Sequence, residues 1–482
     1  MASSARGGME MNFTFGKPQK GPPSPAADQP LRMLVLGDLG GHASRGEIRP
    51  LAGLRPLRVD MDSLGSVLLK VQPRIDVRLG GQAPFSVPIE SMDDFHPDHL
   101  FDGLEFFAPM RRLRQQILDP KTMAVAAALL GAAAPSPAPT QISAHDADLT
   151  RLLGRPSSPN TSTPARDAGS VVDNLIRQIV APQVVKQADP RQAELLAKLD
   201  GMTGELMRAV LHDPGFQGVE AAWRGLDRML RALELYESVH VFVLDVSRDE
   251  VIEDLAQAST LAESGLYRVM AASEKPWSLV VDLTPYGRTQ QDAALLARLG
   301  SMAEGMRACL LAGQDWAAFS AGFTSPEDEL AWTDLRQLPA ARSISLALPG
   351  ILLRQPYGKG SDPIEHFAFG EQSDPPAPSH FLWGSPSLAV AQLLVQSFLG
   401  AGGWDFQPGD HSMIEDLPIH VSKVDGESVQ TPCAQAWLSD AKVDALLKQG
   451  LMPVVSVQGS GDVRIPRFQS LAFPPAALAG PW

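Results

Sequence analysis

The chain has 482 residues, 44% of them hydrophobic, enough for about three folding units at roughly 150 residues each and for a sizeable core, so an intrinsically disordered chain is excluded. Its 41 Lys+Arg against 55 Asp+Glu give a net charge of −14, the wrong sign for a protein that works by neutralising phosphates or sitting on anionic lipid. Cys309 and Cys433 lie far apart with no CxxC and no His at ligand spacing, which excludes a disulfide framework or zinc site and fits a reducing compartment.

From the amino end, MASSARGGMEMNFTFG has no apolar leader core, and Ala2 stands where myristoylation needs Gly. A cytoplasmic location is expected. KPQKGPPSPAADQP (17–30) is too poor in large apolar side chains to offset its ordering entropy, so 1–30 is expected to be a mobile segment. LRMLVL (31–36), bounded by Gly37, Gly40 and Gly41, is a buried strand that opens a small α+β region over 31–131. Within it Ile75–Leu79 and Phe85–Ile89 alternate as strands of a hairpin, with Gly80 and Gly81 turning between them. After Pro97, a stripe of Leu100, Leu104, Phe107, Met110, Leu113 and Ile117 predicts one helix. The apolar run Met123–Ala134 is a dozen residues or so, short of the ~20 that span a bilayer. Prolines then cluster over 132–170, an expected linker.

The α/β region expected over 171–472 opens with apolar periods at Leu175–Val180 and Leu195–Val210. Asp213 then caps a helix whose first residue is Pro214, with a seam of Phe216, Val219, Trp223, Leu226, Leu230 and Leu233 and a Glu220–Arg224 pair one turn apart. VHVFVLDV (239–246) is a strand followed by a Ser247/Glu250 capping box, and WSLVVDL (277–283) is a strand followed by a Thr289/Asp292 cap and a long helix. Strands at 343–348 and 351–353, a helix at 387–399, and strands near Ile419 and at 454–457 complete the pattern. The expected class is α/β: a mixed sheet flanked by helices, with a smaller α+β N-terminal unit packing on it. FPPAALAGPW (473–482) reads as a tail.

Positive signs of chemistry are few. Asp245 and Asp282 stand at carboxyl ends of apolar strands, where open α/β sheets place catalytic carboxylates, but no His or Lys recurs at matching ends and each is expected to cap a turn or helix. VLGDLGGH (35–42) follows a strand and is Gly-rich, yet lacks GK[ST] and the dinucleotide spacing, so it reads as a tight turn. MDDFHPDH (92–99) holds metal-friendly side chains, but a short Pro-broken stretch with acidic residues in its first turn reads as a helix start. His212, His240, His366 and His380 each stand alone, and no G-x-S-x-G or HExxH occurs. No cofactor, metal or catalytic residue is expected.

HDPGFQGVEAAWRGLDRML (212–230) resembles the large subunit of the type VI secretion contractile sheath, and the resemblance continues in order through VFVLDVSRDEVIEDL, ALLARLGSMAEGM, AWTDLRQLPAARSISLALPGILLRQPYG, DPIEHFAFGE, HFLWGSPSLAVAQLLVQSF and RFQS (467–470). VPIESMDDFHPDHLF (87–101) resembles the small sheath subunit. The matching positions are Glu90, Asp93, Asp94 and Phe95 in the first part, and Phe216, Trp223, Arg224, Pro349, Arg354, Pro356, Tyr357, Gly358, Trp383, Gly384, Gln469 and Ser470 in the second. The resemblance implies a fusion of both subunits, joined at the Pro-rich segment, that lacks the large subunit's C-terminal part. It also implies a structural role in a sheath that assembles helically around an inner tube and contracts. Its implied partners are other sheath subunits, inner-tube and baseplate proteins and a AAA+ recycling unfoldase, with no nucleic acid and no membrane insertion. A non-polymerising relative docking at the sheath end or baseplate is one competing expectation, and an enzyme using Asp245 and Asp282 is another. The fusion predicts that the sheet near Val241 is completed by strands from the first 130 residues.

Overall fold

The computed structural model describes residues 29–79, 83–130, 190–233, 237–372, 377–424 and 426–482. The expected linker, almost all of the expected N-terminal segment, the Gly80–Gly81 turn and the apolar positions 175–180 lie outside these residues. Among the described residues no helix is long and apolar enough to cross a membrane.

The strands in chain order are β1 (Leu31–Gly37), β2 (Leu57–Val59), β3 (Arg74–Val77), β4 (Phe85–Pro88), β5 (Val239–Asp245), β6 (Leu279–Tyr286), β7 (Cys309–Gln314) and β8 (Ile344–Leu348). They continue with β9 (Ile351–Leu352), β10 (Trp383–Gly384), β11 (Met413–Ile414), β12 (Val421–Val424), β13 (Glu427–Gln430), β14 (Met452–Pro453), β15 (Val455–Ser456) and β16 (Val463–Arg464). Two compact units contain them and the helices.

The larger unit comprises residues up to 101, 207–365 and 369–482. It is built on a seven-stranded sheet in the order β14-β8-β7-β6-β1-β5-β2. Every pair in this sheet is parallel except β2 with β5. The N-terminal region therefore does more than pack on the sheet: β1 is an interior strand, with Met33 opposite Val241 on one side and Leu279 on the other. The expected strand donation is borne out. All seven residues of β1 are buried; six are apolar, as a parallel strand covered on both faces favours, and the buried Arg32 lies 4.4 Å over the Trp277 ring and donates to the Ser273 hydroxyl. Leu34 and Leu36 join Leu244, Val280, Leu310 and Leu346 in one cluster beneath the helix Gln290–Gly305. Burial of each such side chain contributes about 1.5–3 kcal/mol.

The cap residues read from sequence act as expected. Ser247 and Thr289 accept from the backbone N–H groups of Glu250 and Asp292 in reciprocal capping boxes. Asp213 Oδ1 accepts from Gly215 and Phe216 N–H at 2.9 and 3.0 Å, opening the helix Pro214–Leu233 with its whole predicted seam buried. β3 and β4 form the predicted antiparallel hairpin. β7 has no counterpart in the sequence reading, since CLLAGQ lacks the β-branched and aromatic residues that mark a strand. The terminal segment is also not a free tail. Phe473 N–H donates to Arg336 O and Ala479 N–H to Arg342 O, Leu478 is buried, and the Trp482 ring lies 5.5 Å from Phe406.

The smaller unit comprises residues 102–206 and 366–368. The single helix predicted after Pro97 is divided into Pro97–Gly103, a 3-10 turn at Glu105–Phe107 and Ala108–Leu118. Leu104 is extended there; Gly103 weakens the first helix, and Pro109, lacking an N–H, fits only in the first turn of a new one. Ile117, Ala126 and Leu130 pack with Leu195 and Leu199 in this unit's core. Arg114 pairs with Asp200, and Lys198 Nζ donates to Leu130 O at 2.6 Å.

Candidate functional site

In the larger unit, residues 90–96 meet the Pro214–Leu233 helix and the loop after β9. Asp94 Oδ2 accepts from the N–H groups of Glu90 and Ser91 at 2.7 and 2.8 Å, forming a capping box for the short turn Met92–Phe95. That turn holds the fully buried Phe95 edge-on to Phe216, with ring centroids 5.7 Å apart, and within 6.0 Å of the Arg224 guanidinium. His96 sits edge-on to Tyr357 at 5.0 Å. Arg224 donates to the Tyr357 hydroxyl at 2.9 Å.

Beneath this contact is a buried ionic joint. Arg354 Nε donates to Glu220 at 2.8 Å, and its two terminal nitrogens reach Glu371 at 2.7 and 3.0 Å. Both carboxylates are wholly inaccessible. Arg224 binds Glu220 at 2.7 Å, so two guanidinium groups balance two carboxylates. Tyr357 N–H supplies a further donor to Glu371 at 2.8 Å. Burial alone raises the Glu371 carboxyl pKa; the Arg354 charge, with His212 and the Tyr357 N–H, outweighs it and brings it to about 2. The Tyr357 hydroxyl is pushed up by burial and then by the Glu220 charge, so it stays a neutral donor and acceptor. Removing one member of such a group strands a buried charge, typically at a cost of about 3–5 kcal/mol.

A second polar cluster clamps the turn after β1. Asp245 Oδ1 accepts from Gly40 N–H at 2.7 Å, while its Oδ2 lies 2.7 Å from His42 Nε2 and 3.3 Å from Arg49. His42 Nδ1 meets Glu47 at 3.1 Å, and Arg49 Nε donates to Glu250 at 2.6 Å. The Trp223 indole N–H donates to Leu39 O at 2.9 Å. Gly41 sits at φ 76°, and a Cβ there would lie 2.7 Å from Arg74 O, so the tight turn requires glycine. Burial lowers the His42 pKa; the hydrogen bond and charge of Asp245, with Glu47, more than offset it, leaving it raised.

Asp38, His42 and Asp245 bring ligand-type atoms within 4.8 Å of one another. These atoms are already bonded: Asp38 caps the N–H groups of His42 and Ala43, and both His42 nitrogens face carboxylates. The arrangement is a protein-to-protein clamp. Asp282 does not converge with Asp245, because β1 lies between their strands, a separation near 10 Å at ordinary strand spacing. Asp282 is buried, accepting from the Tyr286 hydroxyl at 2.5 Å and from Thr284 N–H at 2.9 Å. Asp282 caps its own turn as expected, whereas Asp245 caps a turn donated by the N-terminal region.

Seven of the matching positions assemble at or beside the joint: Asp94, Phe95, Phe216, Arg224, Arg354, Pro356 and Tyr357. Gly358 follows, its N–H donating to Asp362 O. Trp223 serves the clamp instead. Glu90 and Asp93 are exposed. Elsewhere, Pro349 is buried after β8, and Gly384 pairs with Ile351 where a Cβ would lie 2.7 Å from Leu353. The Trp383 indole donates to Pro378 O, Gln469 Nε2 binds Leu447 and Leu451 carbonyls, and the Ser470 hydroxyl donates to Ala476 O. Sequence reasoning paired Glu220 with Arg224 and Glu250 with Ser247, but missed the roles of Glu371 and Arg49 and the bonds of His42 to Asp245 and of Glu250 to Arg49. A carboxylate beside the seam residues Val219 and Trp223 was the available signal for a buried partner. His212 and His380 do not stand alone: their rings stack at 4.1 Å and 11°.

Comparison with known proteins bears directly on these contacts. Residues 193–472, more than half of the chain, match the family described as EvpB/VC_A0108, tail sheath N-terminal domain. The chain belongs to the type VI secretion sheath family. Residues 17–127 match the family described as type VI secretion system, VipA, VC_A0107 or Hcp2. Both sheath-type regions are thus fused in one polypeptide; the clamp lies between segments of the two, and the ionic joint, wholly in the VipB-type region, underlies the contact that Phe95 and His96 make with it. The chain is also similar to the type VI secretion system sheath protein TssC1 of Pseudomonas aeruginosa, 26% identical over 305 residues, covering 58% of this chain. It spans 61% of the length of that relative.

Proposed function

We propose that this sheath-family protein is a structural subunit of a contractile type VI apparatus, in which one chain does the work of an interlocked pair. The observation that carries the reading is the position of β1: a strand from the VipA-type region lies inside the VipB-type sheet, bonded on both edges. Covalent fusion fixes the stoichiometry of the two parts and raises their effective concentration. The subunit acts through shape and heterologous contacts, which build helical assemblies when they do not close. Its partners are other sheath subunits, the inner tube, the baseplate and a recycling unfoldase, all in the cytoplasm. No step of bond chemistry is assigned to Asp245 or Asp282.

Electron microscopy of the protein expressed with its operon neighbours tests this. Long hollow tubes containing the chain are expected. Discrete particles seated at the ends of tubes made by other subunits would assign a docking role, and absence from all tube material would overturn both readings.

A further inference from the structure

At the residues that precede β6, β7 and β8, a cleft of about 1090 Å³ opens beside Trp277 and Phe473. This is near the upper end of the range of about 300–1,000 Å³ usual for ligand pockets. Arg307, Arg336 and Arg342 line it, against one acidic side chain, Glu304. Arg336 is held by the Leu471 and Lys448 carbonyls and lies over the Phe473 ring. Arg307 and Arg342 are exposed, and among the described residues neither guanidinium forms an ion pair or hydrogen bond. Arg307 also stands at φ 56°, the left-handed position after the Gln290–Gly305 helix and its cap Met306. Glycine is usual there, because a β-carbon crowds the following carbonyl oxygen in the left-handed conformation. A strained backbone thus presents an unpaired cation to a partly aromatic cleft, on a chain whose net charge is −14.

The complementary surface is on the same chain. On the helix Pro326–Gln337, Glu327, Leu330 and Asp334 follow one another at helical spacing, all exposed, Leu330 to 61%. Gln337 and Leu338, at the other end of this helix, line the cleft. Along the helix axis Glu327 lies about 15 Å from Gln337 and Asp334 about 4.5 Å, so the acidic face runs away from the cleft starting one turn from its rim. They are different patches on one molecule.

We propose that the cleft receives the acidic Glu327–Leu330–Asp334 face of a second copy of this chain, a head-to-tail contact that does not close. The proposal rests on the sheath reading and specifies one of its heterologous contacts. Arg307 and Arg342 meet Glu327 and Asp334 of the next copy, and Leu330 enters beside Phe473.

A charge-swap experiment on the full chain decides it, read by sedimentation velocity. Wild-type self-association is expected to weaken as salt rises from about 0.05 to 0.5 M. Arg307→Glu/Arg342→Glu and Glu327→Lys/Asp334→Lys should each lower the association constant roughly tenfold or more, by opposing like charges. An equimolar mixture of the two variants should regain association, while Arg307→Lys/Arg342→Lys should keep it. Unchanged thermal melts are expected, since all four positions are exposed. A wild type that stays monomeric, variants that associate as wild type does, or a mixture that fails to recover overturns the contact. If both double variants still enter tubes while the wild type builds them, the contact falls and the sheath reading stands. If the wild type builds no tubes, the sheath reading falls, and the mixture still decides the contact.

Discussion

The clamp around His42 ties a VipA-type turn to the VipB-type sheet directly, whereas the joint around Arg354 lies within the VipB-type region and supports the surface that Phe95 and His96 meet, and the two hold by different means. The joint is balanced and its carboxylates are fully buried, two carboxylates and two guanidinium groups meeting among aromatic rings. In the clamp, Glu47 is about half exposed, and backbone N–H and C=O groups supply several of the bonds. The comparison teaches that a buried ionic group enforces an all-or-none fit, whereas a half-solvated one adjusts to pH and salt.

The sharpest way to break the joint is Arg354→Met, which leaves Glu220 and Glu371 buried without their shared partner. A loss of about 3–5 kcal/mol in urea unfolding is expected, largely recovered by adding Glu220→Gln and Glu371→Gln. A loss below about 1 kcal/mol would deny the joint its role. Trp223→Phe should cost about 1–2 kcal/mol by leaving Leu39 O without its buried donor, and exchange of amide hydrogens in the turn after β1 should rise.

Acid and base separate the two regions further. The folded pKa of His42 lies above 6.5, so His42's own contribution to the clamp is complete below pH 6.5 and fades as pH rises through the folded value. Glu371 goes the other way: its pKa drops from 4.5 to about 2, so the joint's contribution is complete above pH 4.5 and lost as pH falls toward 2. His42→Gln should therefore cost roughly 1 kcal/mol near pH 6 and little at pH ~8.5, measured by urea midpoints. The smallest effect is expected for Arg114→Ala in the helical unit, about 0.2–1 kcal/mol by the same measurement, because its pair with Asp200 is partly solvated.

Local signals carried most of what the sequence disclosed. Asp213, Ser247 and Thr289 were legible as caps because a capping residue and its target lie within three positions. LRMLVL was legible as a strand because its apolar run is bounded by glycines. The order β6-β1-β5 follows from no periodicity, since its neighbours are about 200 residues or more apart in sequence; only the resemblance to two interlocked subunits suggested it. Arg354 was found by that resemblance too, but its bond to Glu371 spans 17 residues and its bond to Glu220 spans 134. The helix Asp440–Lys448 escaped notice because its only buried residues are Val443 and Leu446, too few for a periodic stripe.

The interior place of β1 also governs how the chain is made. Leu31 pairs with Val239, so β1 leaves the ribosome as an oily ribbon about 200 residues before the strand it pairs with is made. At about 5–20 residues per second, it waits roughly 10–40 s before β5 emerges. During that interval the nascent polypeptide is most exposed to aggregation, and a chaperone that shelters Leu31–Leu36 has its greatest effect on yield.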